Sequence, residues 1–401
     1  MIKKIPVSYL QHTMYLHERV ADWIDQPFLL SRFLIRDQKT INKVVAAGVG
    51  EAYIDASRGL DIPPAPTADV NRHLEIELES AATALPPAAP ITLASELVRA
   101  GKIRSQANKV MQSVMRDVRL GQALNLEQVV PVVEEITLSI SRNPGALLSL
   151  VRLKTRDNYT FTHSVAVCAL MVAFCQALKL DASTTREAGI GALLHDIGKM
   201  RVPEEILNKP GSLSAAEFNI MKRHPLDGYE ILRATPGVGP VALDIALHHH
   251  ERMHGNGYPD RLPASEISRL TQMAAIVDVY DAVTSDRCYH TGIPPAEALK
   301  RMWEWSAADF DPGLMRAFIC TIGIYPVGTL VSLTSGRLAV VTELHPSRIS
   351  SPTVRVFFSV RSNLHVRLEE IDLSHPYSTE SIVSHEDPVK WGVDPLLYMT
   401  S

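Results

Sequence analysis

From about residue 91 to residue 320, apolar side chains recur with the 3.6-residue spacing of helices. The pattern predicts helices over 94–120, 127–141, 145–155, 160–179, 184–196, 214–223, 240–250, 268–284 and 295–304. Ser214, followed three residues later by Glu217, is the signature of a capping box, and Ser268 is placed to begin another helix. Turns are indicated where Pro and Gly cluster between these segments. This part of the chain is predicted to fold as a helical domain.

The N-terminal segment has a different pattern. Residues 1–60 combine short apolar stretches, a predicted helix near 38–47 and a predicted strand at 52–54, which together indicate a small α/β domain. Residues 61–90 are rich in Pro and Ala, which disfavours helix and stiffens the chain. We therefore predict that 61–90 is a linker between the N-terminal domain and the helices.

The C-terminal segment returns to strand-like patterns. Two Val- and Thr-rich runs within 329–344 are joined by Ser335-Gly336, a hairpin signal, and a third strand is predicted at 353–360. The predicted architecture is mainly α. A helical domain occupies 91–325, and a β-rich appendix follows at 326–401.

Composition limits the classes of partner. Of the 401 residues, 46% are hydrophobic and 21% are charged, and the formal net charge of −4 does not favour wholesale nucleic-acid binding. The start has no apolar core of signal-peptide length, and the apolar run 165–175 is too short to span a bilayer. Four cysteines without a CxxC pair indicate structural thiols in a reducing compartment rather than disulfides or zinc ligands. We expect a cytoplasmic protein without a DNA, RNA or membrane partner.

Histidines and aspartates interrupt the apolar helical pattern at five places. They are His163, His195-Asp196, His224, His249-His250 and Asp278. A polar group buried in such a pattern is costly unless it is paired or bound. Each position also has an ordinary explanation, because a polar pair can end any helix and Asp278 could face a buried arginine. His224 precedes Pro225, where a helix is expected to stop.

Taken together, these residues point to metal-dependent phosphoester chemistry. Five histidines and two aspartates exceed what one four-coordinate zinc needs, and imidazole and carboxylate donors without thiolate suit iron or manganese. A bridging Asp196 would place two ions where they generate a hydroxide and screen a phosphate. Lys199 and Arg287 lie close by in sequence and are candidates to bind that phosphate, although solvated surface cations are the common alternative.

Five motifs across about residues 140–300 resemble the HD-GYP family. This family is the subgroup of the HD metal-dependent phosphohydrolase superfamily that hydrolyses cyclic di-GMP in bacteria. The motifs are HSVAV (163–167), LLHDIGKM (193–200), KRHPLDGYEIL (222–232), HHERMHGNGYP (249–259) and VDVYDAVTSDRCYH (277–290). Residues 1–60 also resemble the small domain that often precedes HD-GYP domains, and the tail resembles the segment that follows the catalytic helices. The resemblance implies a helical HD-type metal-dependent phosphohydrolase domain.

The resemblance implies roles for individual residues. The implied metal ligands are His163, His195, Asp196, His224, His249, His250 and Asp278. Asp196 and Lys199 would be catalytic, and Lys199, Tyr258, Arg287 and His290 would contact substrate. The family signature is Gly257-Tyr258-Pro259, and the register leaves His248 as a structural residue outside the ligand set.

Three departures from the family pattern affect these expectations. His254 stands where the family usually has Asp, and Cys288 and His290 replace a common Pro and basic residue. Tyr159 stands where members with a third metal carry Glu, so two metals are expected rather than three.

The implied activity is a metal-dependent phosphodiesterase that hydrolyses cyclic di-GMP to linear pGpG by a metal-bridged hydroxide, with further cleavage to GMP left open. The expected cofactors are two metal ions, with iron ranked before manganese. Two alternatives are a receptor that binds the cyclic dinucleotide without cutting it, and a hydrolase of 3′,3′-cyclic GMP-AMP. A diguanylate cyclase partner and a homodimer are further hypotheses from the resemblance.

Overall fold

The computed structural model describes residues 2–6, 10–16, 33–46, 51–55, 58–60, 91–152, 159–285, 292–345 and 348–400. The chain divides into two compact units, Met1–Ser80 and Ala81–Ser401. The predicted linker at 61–90 lies outside the described residues. The predicted domain boundaries stay predictions.

The first unit is a small α/β fold, as predicted for the N-terminal segment. Its strands are β1 (Ile2–Pro6), β2 (Tyr15–Leu16), β3 (Phe33–Leu34) and β4 (Glu51–Asp55), and its helix is α1 (Gln38–Ala46). The strands pair antiparallel in the order β1-β4-β2-β3. Met14, Ile35 and Ile54 are fully buried, so even the described part of this unit has an apolar core.

The second unit consists mainly of helices. They are α2 (Leu93–Arg119), α3 (Leu126–Arg142), α4 (Pro144–Arg152), α5 (Tyr159–Ala177), α6 (Ala182–Leu194), α7 (Glu204–Leu207), α8 (Ala215–Met221), α9 (His224–Arg233), α10 (Pro240–His248), α11 (Arg269–Thr284), α12 (Pro295–Asp309) and α13 (Pro312–Ile322). A 3₁₀ turn (Ile197–Arg201) follows α6. The predicted capping box of Ser214 and Glu217 begins α8, and Ser268 caps α11, so these two sequence signals are confirmed.

Helix α5 lies at the centre of the helical core. Every residue from Val165 to Cys175 has at most 4% of its surface exposed, and Phe174 packs against Phe318 of α13. The 18-residue window Thr160–Ala177 is long and apolar enough to cross a membrane, yet 72% of it is buried inside the protein. The burial of α5 therefore accounts for its apolar sequence.

A five-stranded antiparallel sheet completes the second unit. Its strands are β5 (Leu330–Leu333), β6 (Arg337–Glu343), β7 (Thr353–Ser359), β8 (Leu364–Asp372) and β9 (Ile382–His385), in the order β8-β7-β6-β5-β9. Short helices α14 (Pro388–Trp391) and α15 (Leu396–Met399) follow. Leu330, Val340, Phe357 and Met399 belong to the same buried cluster as the helices, so the sheet and the helices share one core.

The fold class is confirmed, with corrections to individual elements. A helix ends before His224 as expected, because α8 ends at Met221, but α9, which begins at His224, was not predicted. Its Pro225 lies in the first turn, where no backbone N–H is needed. Helix α13 was not predicted, although Asp311 caps it and Pro312 begins it. Strands β8 and β9 were also not predicted. β8 is an edge strand with mostly exposed side chains, so it lacks the apolar alternation on which such predictions depend.

Candidate metal centre

The structure brings all seven predicted ligands into one buried cluster. They come from the N-terminal parts of α5 and α9, the C-terminal ends of α6 and α10, and the middle of α11. Two groups of potential ligands share Asp196, and within each group the ligand atoms all lie within 4.8 Å of one another. The first group is Asp196, His224, His249 and His250, and the second is His163, His195 and Asp196. Asp278 borders the second group, with its Oδ1 3.1 Å from His163 Nε2 and 3.9 Å from His195 Nε2.

Backbone carbonyls at helix ends orient three of the histidines. The last carbonyls of a helix have no partner within the helix. Nδ1 of His195 lies 2.7 Å from the Ala192 carbonyl, and Nδ1 of His249 lies 3.1 Å from the carbonyls of Ile245 and Ala246.

His224 uses the end of the preceding helix, α8, because its Nδ1 lies 2.8 Å from the Met221 carbonyl. A carbonyl oxygen only accepts, so each of these three Nδ1 atoms carries the proton. Each Nε2 therefore carries a free lone pair that is directed at the cluster. This tautomer, with the proton on Nδ1, can bind a metal ion through Nε2.

Asp281 orients the fourth histidine. His163 Nδ1 donates to Asp281 Oδ2 at 2.6 Å, and Asp281 is 3% exposed. The opposite ring nitrogen, Nε2, then lies 3.1 Å from Asp278 Oδ1, a separation at which one ion can bind both atoms. Asp278 and Asp281 are three residues apart on α11 and therefore share a face of that helix.

Asp196 lies at the junction of the two ligand groups. Its Oδ2 is 3.3 Å from His195 Nε2, and its Oδ1 is 3.3 Å from His224 Nε2 and 3.9 Å from His249 Nε2. Burial favours the neutral acid, yet Lys199 and His195 hold the pKa of Asp196 well below its usual range. Asp196 is therefore an ionised carboxylate with only 1% of its surface exposed.

Two of the neighbouring histidines, His249 and His250, are held in the neutral form. Burial and the adjacent imidazoles lower the pKa of His249 and of His250 well below the usual value. Neutral imidazole is the form that binds metal ions. Ionised aspartate and neutral histidine in one buried site are thus the donor set that a divalent cation requires.

Four buried side-chain polar atoms have no hydrogen-bond partner among the described residues, and two of these four lie in this cluster. They are His195 Nε2 and Asp196 Oδ1. Leaving such atoms unsatisfied costs free energy, so they indicate a missing positive partner. The residues fit divalent metal ions on two counts, the donor types and the atoms left for the ions to satisfy.

A contact between two glycines places Asp196 and His224 next to each other. A Cβ on Gly198 would lie 2.0 Å from the His224 carbonyl oxygen and 2.4 Å from the Gly228 amide nitrogen. Both are backbone atoms, so a side chain at Gly198 would have to move the 3₁₀ turn away from α9. Packing therefore requires glycine at position 198.

Lys199 and Tyr258 lie at the border of the cluster. Lys199 Nζ donates to Asp196 Oδ2 at 2.6 Å, and 23% of the lysine side chain is exposed. The Tyr258 ring stacks on His250 with centroids 4.6 Å apart, and burial raises the pKa of its hydroxyl. Two predicted substrate contacts therefore adjoin the predicted ligands. The other two, Arg287 and His290, lie outside the described residues.

Glu251 holds the loop that contains Tyr258. Its Oε1 accepts from the backbone amides of Asp260 and Arg261, and its Oε2 accepts from that of Leu262, at 2.8, 3.0 and 3.1 Å. A Cβ on Gly257 would lie 2.5 Å from the Glu251 Cα, so only glycine permits this approach.

His248 and His254 lie outside both ligand groups. His248 connects α10 to the following loop, through Asp244 at 2.7 Å and Asp260 at 3.1 Å. His254 is exposed and forms an isolated bridge with Pro263.

Sequence reasoning missed the roles of Asp281 and Glu251. Asp281 is an acidic residue one helical turn beyond Asp278, and that spacing was a usable signal. Glu251 follows three histidines, but its partners are backbone amides 9 to 11 residues ahead, which no local pattern reveals.

Comparison with known proteins identifies the family. Residues 141–314 match the family model described as an HD domain, and residues 2–129 match a domain of unknown function, DUF3391. The chain is 44% identical over 392 residues to a Pseudomonas aeruginosa protein named cyclic di-GMP phosphodiesterase PA4108. That alignment covers 98% of this chain and 94% of the Pseudomonas protein. The chain belongs to the HD-GYP family of phosphodiesterases.

Other relatives align with only part of this protein. A Xanthomonas campestris protein named cyclic di-GMP phosphodiesterase response regulator RpfG is 31% identical over 55% of this chain and 59% of its own length. A Vibrio cholerae protein named 3′3′-cGAMP-specific phosphodiesterase 1 is 34% identical over 39% of this chain and 36% of its own length. The resemblance seen in the five motifs is thus confirmed at the level of the family.

Replacing Asp281 by Asn should weaken metal binding. The amide keeps the shape of the carboxylate but removes the negative charge that orients His163 and makes it a better donor. We expect metal affinity to fall about 10- to 100-fold, measured as the metal retained against a competing chelator. Asp117→Asn on α2 is the matched control and should retain wild-type affinity. Equal retention in both variants would contradict the positioning role of Asp281.

Gly198→Ala should separate the 3₁₀ turn from α9. The overlap with backbone atoms is expected to cost about 3 kcal/mol in the free energy of unfolding and to lower the metal content. Gly101→Ala in α2 is the control, because a Cβ there meets no atom within 4 Å. That change should stabilise the protein by about 0.5–1 kcal/mol. Denaturant unfolding of both variants tests the difference, and a neutral Gly198→Ala would show that the contact is unimportant.

Proposed function

We propose that this HD-GYP protein hydrolyses cyclic di-GMP to linear pGpG. The observation that carries the proposal is the buried cluster in which two groups of imidazole and carboxylate donors share Asp196. The near full-length alignment with a protein named cyclic di-GMP phosphodiesterase supports the choice of substrate. Analysis of the reaction products tests whether pGpG is cleaved further to GMP.

The proposed cofactors are two metal ions. His224, His249 and His250 would hold one, and His163, His195 and Asp278 the other, with Asp196 between them. Histidine and carboxylate donors without thiolate favour iron first and manganese second. When bound, such ions would activate a water molecule and screen the charge of the phosphodiester.

The surrounding residues would bind and orient the substrate. The Lys199 ammonium is partly exposed and adjoins Asp196, so it can meet a phosphate oxygen while remaining near the ligands. Tyr258, stacked on His250 with its pKa raised, keeps its hydroxyl proton at neutral pH and can donate it to a nucleotide oxygen. Arg287 and His290 stay predicted substrate contacts.

A second candidate substrate is 3′,3′-cyclic GMP-AMP, since a relative over part of the chain is named for its action on that molecule. We also infer a cytoplasmic location, supported by the burial of α5 within the helical core. A diguanylate cyclase partner and a homodimer stay predictions of the family resemblance.

His195→Ala combined with Asp196→Ala should abolish turnover. The double change removes the shared carboxylate and one imidazole, so hydrolysis of cyclic di-GMP should fall to the level of a protein-free control and bound metal should decrease. Helical content should be largely retained, because both residues lie at the end of α6. Chromatography of the products, with iron- and manganese-loaded protein, measures pGpG and GMP.

The control for this experiment is His375→Ala with Asp394→Ala, two exposed residues of the C-terminal segment. Parallel reactions with 3′,3′-cyclic GMP-AMP rank the two substrates. Metal-loaded wild-type protein that binds cyclic di-GMP without forming a linear product would contradict hydrolysis and favour the receptor alternative.

A further inference from the structure

A cavity whose lining includes none of the predicted metal ligands lies between the helices and the C-terminal sheet. It has a volume of about 430 Å³. Residues from α4, α5, α11 and α13 line it, together with the chain that leads into β5 and the end of β6. The volume is within the range of pockets that bind small molecules.

Arg152, at the end of α4, lines this cavity with unused hydrogen-bond donors. Its Nη1 donates to the Val327 carbonyl at 3.0 Å and to Thr329 Oγ1 at 3.4 Å. Its Nε and Nη2 make no hydrogen bond to any described residue. The side chain is half-buried rather than sealed, so these donors remain within reach of a ligand.

Arg152 has no counter-ion within the described part of the chain, because no described carboxylate lies within 4 Å of its guanidinium. Burial lowers the pKa of Arg152, and its electrostatic interaction with the Tyr280 hydroxyl offsets only part of that effect. Burial, followed by the charge of Arg152, lowers the pKa of His385, so this histidine adds no positive charge to the site. Arg142, also at the cavity, differs because Glu96 pairs with it at 2.7 Å.

Tyr280 supplies a second unsatisfied group in the wall of the cavity. Its side chain is 1% exposed, and its hydroxyl has no hydrogen-bond partner in the described structure. A half-buried cation without a counter-ion and a buried hydroxyl without a partner are both unfavourable, and an anion would satisfy both.

The other residues that line the cavity indicate the polarity and charge of the ligand. Leu93, Leu148, Leu170, Ile322 and Val327 are apolar, and the one acidic side chain that lines the cavity, Glu343, is exposed at its border. The Nε and Nη2 donors of one arginine match the two oxygens of a carboxylate. Because Glu96 already pairs with Arg142, Arg152 is the one unpaired cation among mostly apolar described walls. One unpaired cation suits a monoanion better than a phosphate, whose second charge would have no partner.

We propose that this cavity binds a small carboxylate with an apolar body, held by Arg152 and Tyr280. The carboxylate would lie side-on to the guanidinium, and the apolar body would fill the space between α4, α13 and the sheet. Since Tyr280 is on α11 between Asp278 and Asp281, the ligand would contact the helix that supports the candidate metal centre from its other side. This binding site is independent of the activity proposed for that centre.

Octanoate is the probe for the carboxylate, and octanol, which has the same apolar chain without the charge, is its control. Titration calorimetry on the full chain should give saturable one-to-one binding of octanoate and at least tenfold weaker binding of octanol. Absence of saturable octanoate binding would overturn the proposal. Equal affinity for octanol would overturn the assignment of a carboxylate.

Three variants locate the binding site. Arg152→Gln removes the charge and should weaken octanoate binding about 10- to 100-fold, whereas Tyr280→Phe should weaken it about three- to tenfold. Arg152→Lys keeps the charge without the paired donors and should fall between Arg152→Gln and wild type. Arg301→Gln, at an exposed residue of α12, is the matched control and should bind like wild type.

Circular dichroism checks that each variant folds. If Arg152→Gln does not fold, Arg152→Lys and Tyr280→Phe decide the question. If every folded variant binds octanoate with wild-type affinity, octanoate binds at a site other than this cavity and the proposal is overturned.

Discussion

The organisation of the helical unit depends on how the charge of Asp196 is stabilised. This carboxylate is almost completely buried and lies between two sets of imidazole nitrogens. An isolated ion in such a place would be strongly unfavourable, and its oxygen Oδ1 has no hydrogen-bond donor in the described structure. Lys199 supplies part of the compensation from the edge. The rest is consistent with bound cations, and the surrounding helices are arranged to hold the ligands that such cations need.

The helices position those ligands mostly through their ends. His195 and His249 follow the last turns of α6 and α10 and hydrogen-bond carbonyls that would otherwise be unsatisfied. His224 does the same with the end of α8. One interaction thus completes a helix terminus and also fixes which ring nitrogen faces the cluster. Only α11 contributes ligands from its middle, where Asp281 supports His163 and Asp278 lies beside it.

Much of this could be predicted from the sequence, because local patterns carry it. Apolar periodicity indicated the helices, and polar residues within buried segments, such as Asp278, marked the cluster. The start of α9 was missed because Pro225 was interpreted as a stop, although proline is well accommodated in a first turn. Contacts between distant segments were also beyond local patterns. Glu251 binds amides in the next loop, and Gly198 is set by its approach to α9, so both depend on the tertiary fold.

The central claim is that the buried cluster is a two-metal centre in an HD-GYP phosphodiesterase. The most direct test is elemental analysis of the full-length protein purified without oxygen, which avoids oxidation of bound iron. The proposed centre predicts two transition-metal ions per chain, with iron before manganese. Protein that is folded but carries no transition metal, and binds none when iron or manganese is supplied, would contradict the claim.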